Sequence, residues 1–166
     1  MNKTVLFLVS FLAFIFSTAS QSFPDKIFPA DAVVNVTLPP YEAKPDDNID
    51  DTAAVQKAIA ENVDTGRVIY FPAGTYEISD TLYAKNSKGI WKPHLTLQGQ
   101  NQDKTVLRLK DKSANFADPA KPRPVIITAS LWEKGDSPEG GGNKAFRNNI
   151  FDLTVDTGSG NPGAVG

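Results

Sequence analysis

The sequence predicts an all-β domain with one α-helix at its N-terminal end. Helical spacing of apolar residues is found in one stretch, residues 52–62. Short β-rich runs separated by glycine and proline fill the chain from residue 68 onwards. Apolar and polar residues alternate within several of these runs, which is typical of strands with one buried and one solvated face. One helix followed by many short strands indicates that the strands form the body of the domain and that the helix covers it.

The predicted helix runs from about Thr52 to Asn62. Four apolar residues recur at helical spacing and define one face: Val55, Ala58, Ile59 and Val63. Asp50 or Asp51 can accept hydrogen bonds from the free N–H groups of the first turn. Gly66 can adopt the left-handed conformation that ends a helix. We therefore expect the apolar face of this helix to be buried.

Six runs are predicted to be strands: Val68–Phe71, Thr75–Tyr83, Leu95–Leu97, Val106–Leu109, Val125–Ile127 and Ile150–Val155. In the last run, Phe151, Leu153 and Val155 fall on one face, which we expect to be buried. A sandwich, a barrel or a β-solenoid would each contain such strands. The long glycine- and proline-rich intervals at 111–123 and 133–144 favour a solenoid, because insertions between its strands extend as loops.

The first 20 residues are predicted to be a signal peptide. Lys3 precedes an apolar run from Val5 to Phe16, and small residues follow that run. The run is shorter than the roughly 20 residues of a membrane-spanning helix, so an uncleaved anchor is the less favoured alternative. Cleavage after Ala19 and cleavage after Ser20 fit the pattern equally well. We expect a secreted or periplasmic protein with no membrane span after cleavage of the signal.

Composition narrows the class of protein further. The net charge is −2 and there is no basic block, so nucleic acid is not expected as a partner. The chain has no cysteine, so its fold cannot depend on disulfide bonds. Residues 21–42 are predicted to be a lead-in segment, because prolines interrupt them and only Ala32–Val36 could form a short strand.

Two stretches of the chain resemble the opening of a pectate lyase superfamily domain. They are Asp50–Ile59, which begins with Asp-Asp-Thr, and Gly66–Tyr76, which contains Phe-Pro-Ala-Gly-Thr-Tyr. The resemblance covers residues 43–166 and implies a right-handed parallel β-helix, a solenoid whose N-terminal end is capped by the α-helix. The chain departs from the family pattern at Glu42-Ala43 and at Pro45–Asp47, which bears on the subfamily and leaves the fold unchanged.

The same resemblance implies activity on a polysaccharide, pectin-like or otherwise rich in uronic acid. The reaction would be hydrolysis or β-elimination; no cofactor is evident, and Ca²⁺ is expected only for a lyase. The alternative is a non-catalytic β-helix that binds glycan or serves as a surface structure. Because nothing after Ile150–Val155 resembles a closing cap, we expect the β-helix to be incomplete at its C-terminal end, with the catalytic residues beyond Gly166. The chain alone should then be inactive and poorly soluble.

Four residues are candidates for contact with the polysaccharide. Trp91 and Trp132 lie near loops and could stack on sugar rings, although loop aromatics also pack over the edge of a core. Asp152 and Asp156 share one face of a predicted strand and could act as paired carboxylates, or they could simply be solvated. Their Cα atoms would be about 13 Å apart in an extended strand. The single histidine, His94, supports no catalytic triad.

A cluster of four acidic residues precedes the helix: Asp46, Asp47, Asp50 and Asp51. Carboxylates in such numbers could bind calcium, but they lack the alternating spacing of a calcium-binding loop. Helix capping explains their position better, so no metal site is predicted.

The signal peptide interpretation makes a direct prediction. The mature protein should begin near Gln21, because the small residues that signal peptidase requires end at Ser20. Sequencing the N-terminus of exported protein tests this. Exported material that still carried Met1 would contradict the interpretation.

Overall fold

A computed structural model of the chain describes residues 31–128 and 146–166. The predicted signal peptide at residues 1–20 and Trp132 lie outside the described residues. The helical elements are the α-helix α1 (Thr52–Asn62) and a 3-10 turn at Ala114–Phe116. The strands are β1 (Val33–Asn35), β2 (Val68–Phe71), β3 (Gly74–Ile78), β4 (Leu82–Tyr83), β5 (Thr96–Gly99), β6 (Thr105–Leu109), β7 (Arg123–Pro124), β8 (Ile126–Ile127), β9 (Asn149–Phe151), β10 (Thr154–Asp156) and β11 (Ala164–Val165).

The described strands form parallel sheets that the chain visits in a repeating order. The first sheet has the order β1-β2-β5-β9, and the second has the order β3-β6-β10. The third face consists of two strand pairs, β4-β8 and β7-β11. In the chain, Val125 alone separates β7 from β8. The circuits that begin with β2, β5 and β9 each add one layer to each of the three faces, whereas the first circuit contributes only β1. Parallel pairing of Val68–Phe71 with the strand at Leu95–Leu97 was expected of a solenoid and is confirmed, whereas a sandwich would pair its strands antiparallel.

The core lies between the three faces and is built by stacking. In the first sheet, Val34 pairs with Ile69, Ile69 with Leu97, and Leu97 with Ile150. The first three of these side chains are at most 6% exposed. In the second sheet Tyr76 and Leu107 are register partners and both are fully buried. Burial of each such side chain removes apolar surface from water and contributes about 1.5–3 kcal/mol.

Helix α1 has the predicted bounds and the predicted buried face. Val55, Ala58 and Ile59 are each 0% exposed, and Gly66 has a φ of +76° beyond the end of the helix. The helix also pairs with the backbone of β4. The Gln56 side chain accepts a hydrogen bond from Tyr83 N at 2.8 Å and donates one to Tyr83 O at 3.0 Å. The helix thus satisfies backbone groups of an edge strand that would otherwise be open to pairing with another chain.

The acidic cluster before the helix accepts backbone hydrogen bonds, of which one comes from the helix itself. Four carboxylates each accept one N–H: Asp46 from Thr75, Asp47 from Ile49, Asp50 from Thr52 and Asp51 from Lys44. Asp51 occupies the position before the helix but makes no capping bond with its side chain, whereas Asp50 accepts from Thr52 N, in the first residue of the helix. Asp51 instead fixes the preceding loop, and its buried carboxyl has a raised pKa because burial disfavours the charged form.

Two predicted strands are each broken in two. The run Thr75–Tyr83 contains β3 and β4, separated by Ser79–Thr81. The run Ile150–Val155 is divided between β9 and the start of β10 by Asp152, whose φ is +49°. Because the chain turns at Asp152, the in-out alternation of side chains does not continue from β9 into β10. The prediction that Phe151 is buried is therefore wrong, and its side chain is 49% exposed. The corner turns tightly over Gly99, where a Cβ atom would collide with the Asp152 carbonyl.

The first strand lies within the predicted lead-in segment. β1 pairs with β2, and Val34 and Val36 belong to the core, so these residues form the first layer of the first sheet. No helix among residues 31–128 and 146–166 is long and apolar enough to cross a membrane.

The hydrogen bonds that Asp50 accepts at the start of helix α1 make a testable contribution to stability. Burial opposes ionisation of Asp50, but hydrogen bonds from Ser79 and Thr52 outweigh it and lower the pKa below the usual value. Asp50→Ala should therefore lower the free energy of unfolding by about 1 kcal/mol at pH 7. Because the folded-state pKa is depressed, this difference should shrink as the pH falls through that pKa.

Urea denaturation at pH 7 and at acidic pH measures the effect. Asp103→Ala, at an exposed position before β6, serves as the control and should change stability little. An Asp50→Ala variant as stable as the parent at pH 7 would contradict a stabilising role for these hydrogen bonds.

Candidate functional site

The third face of the molecule brings residues of two circuits together. Tyr83 and Ile127 are register partners in β4 and β8, so their side chains share one side of the face. Arg123 lies in the neighbouring strand β7, separated from β8 by the fully buried Val125, and its guanidinium reaches the Tyr83 hydroxyl. Leu82, which points the other way, is fully buried in the core. Tyr83 and Arg123 are both partly exposed.

Arg123 is held by an acid, a phenol and an aromatic ring. Its Nη2 donates to Asp80 Oδ1 at 2.9 Å and to the Tyr83 hydroxyl at 3.1 Å. Its guanidinium carbon lies 5.5 Å from the centre of the Phe116 ring. The side chains of Arg123 and Asp80 are 34% and 41% exposed, so this ion pair is open to solvent and to ligands.

A short hairpin places a second cation over two aromatic rings. Lys85 and Trp91 form an antiparallel bridge, and the Asn86 side chain closes the turn between them by accepting from Lys88 N and Ile90 N. Lys85 Nζ lies 4.5 Å from the Trp91 ring centre and 5.4 Å from that of Tyr83. These contacts are within cation–π range, and they fix the ammonium group beside Tyr83.

We call the set Asp80, Tyr83, Lys85, Trp91 and Arg123 the Tyr83–Arg123 surface. It carries two cations and one carboxylate on a chain whose net charge is −2. Two exposed cations beside a phenol can hold an anionic group, and an aromatic ring face can pack on the C–H face of a sugar. The arrangement is therefore suited to binding an acidic, ring-containing ligand.

Of the three predicted ligand contacts that the structure describes, Trp91 alone belongs to this surface. The indole is 6% exposed and meets the Tyr83 ring edge-on at a centroid distance of 6.1 Å. The indole therefore packs against Tyr83 and Lys85 and is itself almost fully buried. The second candidate tryptophan, Trp132, lies outside the described residues.

The two candidate carboxylates lie elsewhere and are not on one strand. Asp152, in the corner between β9 and β10, accepts from Gln98 Nε2 at 2.9 Å. Asp156 lies in β10, on the second sheet, and its Oδ2 is 3.6 Å from Arg108 Nε. The corner at Asp152 removes the extended geometry on which their pairing was predicted.

Arg108 lies at the centre of a charged ladder on the second sheet. Glu77, Arg108 and Asp156 are register partners in β3, β6 and β10. Arg108 Nη1 donates to Glu77 Oε1 at 3.1 Å, and Arg108 Nη2 to the Asp111 carboxylate. The Glu77 side chain is only 8% exposed, so its charge depends on Arg108 for compensation. The hydrogen bond with Glu77 raises the pKa of Arg108. The ladder joins strands of three successive circuits.

Calcium, expected only if the protein is a lyase, has no matching cluster in the part of the chain that the structure describes. No group of three or more His, Cys, Asp or Glu side chains there could hold a metal ion. The carboxylates of the acidic cluster accept backbone N–H groups instead.

Sequence reasoning missed four members of the Tyr83–Arg123 surface. Tyr83 and Lys85 stand two residues apart, a spacing that could have indicated a shared strand face. No local pattern links Tyr83 to Arg123, which is 40 residues away in the sequence. Only the register of β4 against β8 brings them together.

Comparison with known proteins identifies the family. The family described as rhamnogalacturonase A/epimerase, pectate lyase-like, matches residues 33–166. No curated protein and no solved structure matches the chain. The match begins at β1 and covers every strand described above. The chain is therefore a member of the pectate lyase-like rhamnogalacturonase A/epimerase family.

Proposed function

We propose that this chain binds an acidic, pectin-like polysaccharide at the Tyr83–Arg123 surface. The observation that carries the proposal is the placement of Lys85 over the Tyr83 ring and of Arg123 at the Tyr83 hydroxyl, with all three side chains partly exposed. Family membership supports a carbohydrate as the ligand. The local charge supports a carbohydrate that carries carboxylates.

The contacts suggest how one sugar residue is held. A guanidinium has five N–H donors, so Arg123 can contact a uronate carboxylate while it remains paired with Asp80. Lys85 supplies a second charge-assisted hydrogen bond. The Tyr83 hydroxyl, which accepts from Arg123, can donate its own proton to a sugar hydroxyl.

We also propose the finer architecture that the family resemblance implies. The repeating order of three parallel faces supports a right-handed parallel β-helix, since crossovers between parallel strands are right-handed in nearly all proteins. Helix α1 would cap its N-terminal end. The predicted signal peptide at residues 1–20 supports an exported protein, secreted or periplasmic.

For the described residues we propose a binding role. Asp80, the carboxylate of the Tyr83–Arg123 surface, is committed to Arg123 and to Thr81 N, so it is poorly placed to act as an acid or base. Groups for hydrolysis or β-elimination would lie outside the described residues. Without such groups the protein would be a glycan-binding β-helix.

Binding assays on the exported full chain test the proposal. We expect binding to polygalacturonate and little binding to neutral dextran. Arg123→Ala and Lys85→Ala should each weaken binding about tenfold, the equivalent of roughly 1.4 kcal/mol for one lost charge-assisted contact. Affinity electrophoresis and isothermal titration calorimetry measure the change.

Lys121→Ala is the matched control. Lys121 is near Arg123 in sequence, its side chain is 84% exposed, and it pairs only loosely with Asp118 at 3.8 Å. Circular dichroism verifies that each variant is folded. Equal binding of polygalacturonate and dextran, or unchanged binding by a folded Arg123→Ala variant, would refute the proposal.

A further inference from the structure

A groove of ≈ 400 Å³ runs along β1, the edge strand of the first sheet. We call it the β1 groove. Its lining is largely apolar, with one cation and one amide: Val33, Val34, Asn35, Leu38, Pro39, Pro40, Tyr41 and Arg67. Its volume is in the range of pockets that hold small ligands and is large enough for one or two sugar rings. It lies on the first sheet, whereas the Tyr83–Arg123 surface lies on the third face.

The far wall of the groove, residues 38–41, is held in place by the helix and the strand. Asn62 of α1 donates from Nδ2 to the Tyr41 hydroxyl at 2.8 Å. Lys57 of α1 donates from Nζ to Pro40 O at 3.1 Å and lies 5.7 Å from the Tyr41 ring centre. Tyr41 N donates to Leu38 O at 3.0 Å. A wall fixed by these bonds is organised before any ligand arrives, which lowers the entropic cost of binding.

The polar groups that line the groove on the β1 side are donors. The Asn35 carbonyl oxygen, Oδ1, already accepts from Thr37 N at 2.9 Å and from the Thr37 hydroxyl at 2.8 Å. The NH₂ group of the same amide is a donor. Arg67 is exposed at the start of β2 and can offer a fork of N–H donors. In the groove, these donors lie beside apolar side chains and the Tyr41 ring. Such a lining is complementary to a sugar that has an apolar ring face and a carboxylate.

We propose that the β1 groove is a second glycan site, which takes a uronic acid residue with its carboxylate on Arg67 and its ring against Tyr41 and the adjacent prolines. This inference rests on the proposed acidic-polysaccharide ligand, and it adds a separate point of attachment. Two sites on different faces would hold one long chain, or two neighbouring chains, more tightly than either site alone.

Titration of the ¹⁵N-labelled full chain with trigalacturonate tests the inference. Backbone amides in residues 33–41 should shift, and so should those around Tyr83 and Arg123. Arg67→Ala should abolish the first set of shifts and leave the second set intact, while Arg123→Ala should do the reverse. Lys88→Ala, in the exposed hairpin turn, is the control and should change neither set.

The outcomes separate this inference from the proposed function. Shifts confined to the surroundings of Tyr83 and Arg123, unaffected by Arg67→Ala, would overturn the second site alone. Shifts confined to residues 33–41 and lost in Arg67→Ala would support it while overturning the Tyr83–Arg123 surface. Failure of trigalacturonate to shift either set would overturn both.

Discussion

The structure depends on one constraint, the in-register stacking of parallel strands from successive circuits. Because each strand is hydrogen-bonded to the strand of the next circuit, a residue lies directly over its counterpart. Apolar residues stack inward, as Tyr76 does over Leu107, and outward residues stack into ladders such as Glu77 and Arg108. A core of this kind has no single centre, and each layer is stabilised by its neighbours.

The same constraint determines where ligands can bind. The Tyr83–Arg123 surface exists because β4 lies beside β8, so a phenol from one circuit meets the guanidinium of the next. The β1 groove exists because β1 is at the edge of its sheet, where the loop at residues 38–41 and helix α1 replace a further strand. The Tyr83–Arg123 surface is therefore formed by the stacking of strands, and the β1 groove is formed at the edge of the first sheet beside helix α1.

What could be predicted from the sequence was local. Helix α1 and β2 were predicted to the residue, because helical spacing and a β-rich run are each contained within a few residues. The corner at Asp152 was missed, because a left-handed residue leaves no mark on hydrophobic alternation. Arg123 was missed for a different reason: circuits differ in length, and the offset from Leu97 to Ile150 is nearly twice that from Ile69 to Leu97. The residues that stack on one another therefore cannot be found from a fixed sequence spacing and are known only from the fold.

The central claim is that stacking joins side chains of successive circuits into one glycan site. A double-mutant cycle on Tyr83→Phe and Arg123→Ala, with affinity for a galacturonate oligomer as the measured quantity, tests it most directly. The two residues touch at 3.1 Å, so the variants should be coupled by about 0.5–3 kcal/mol, and the double variant should lose less affinity than the sum of the single losses. Losses that add to within about 0.3 kcal/mol would contradict the account.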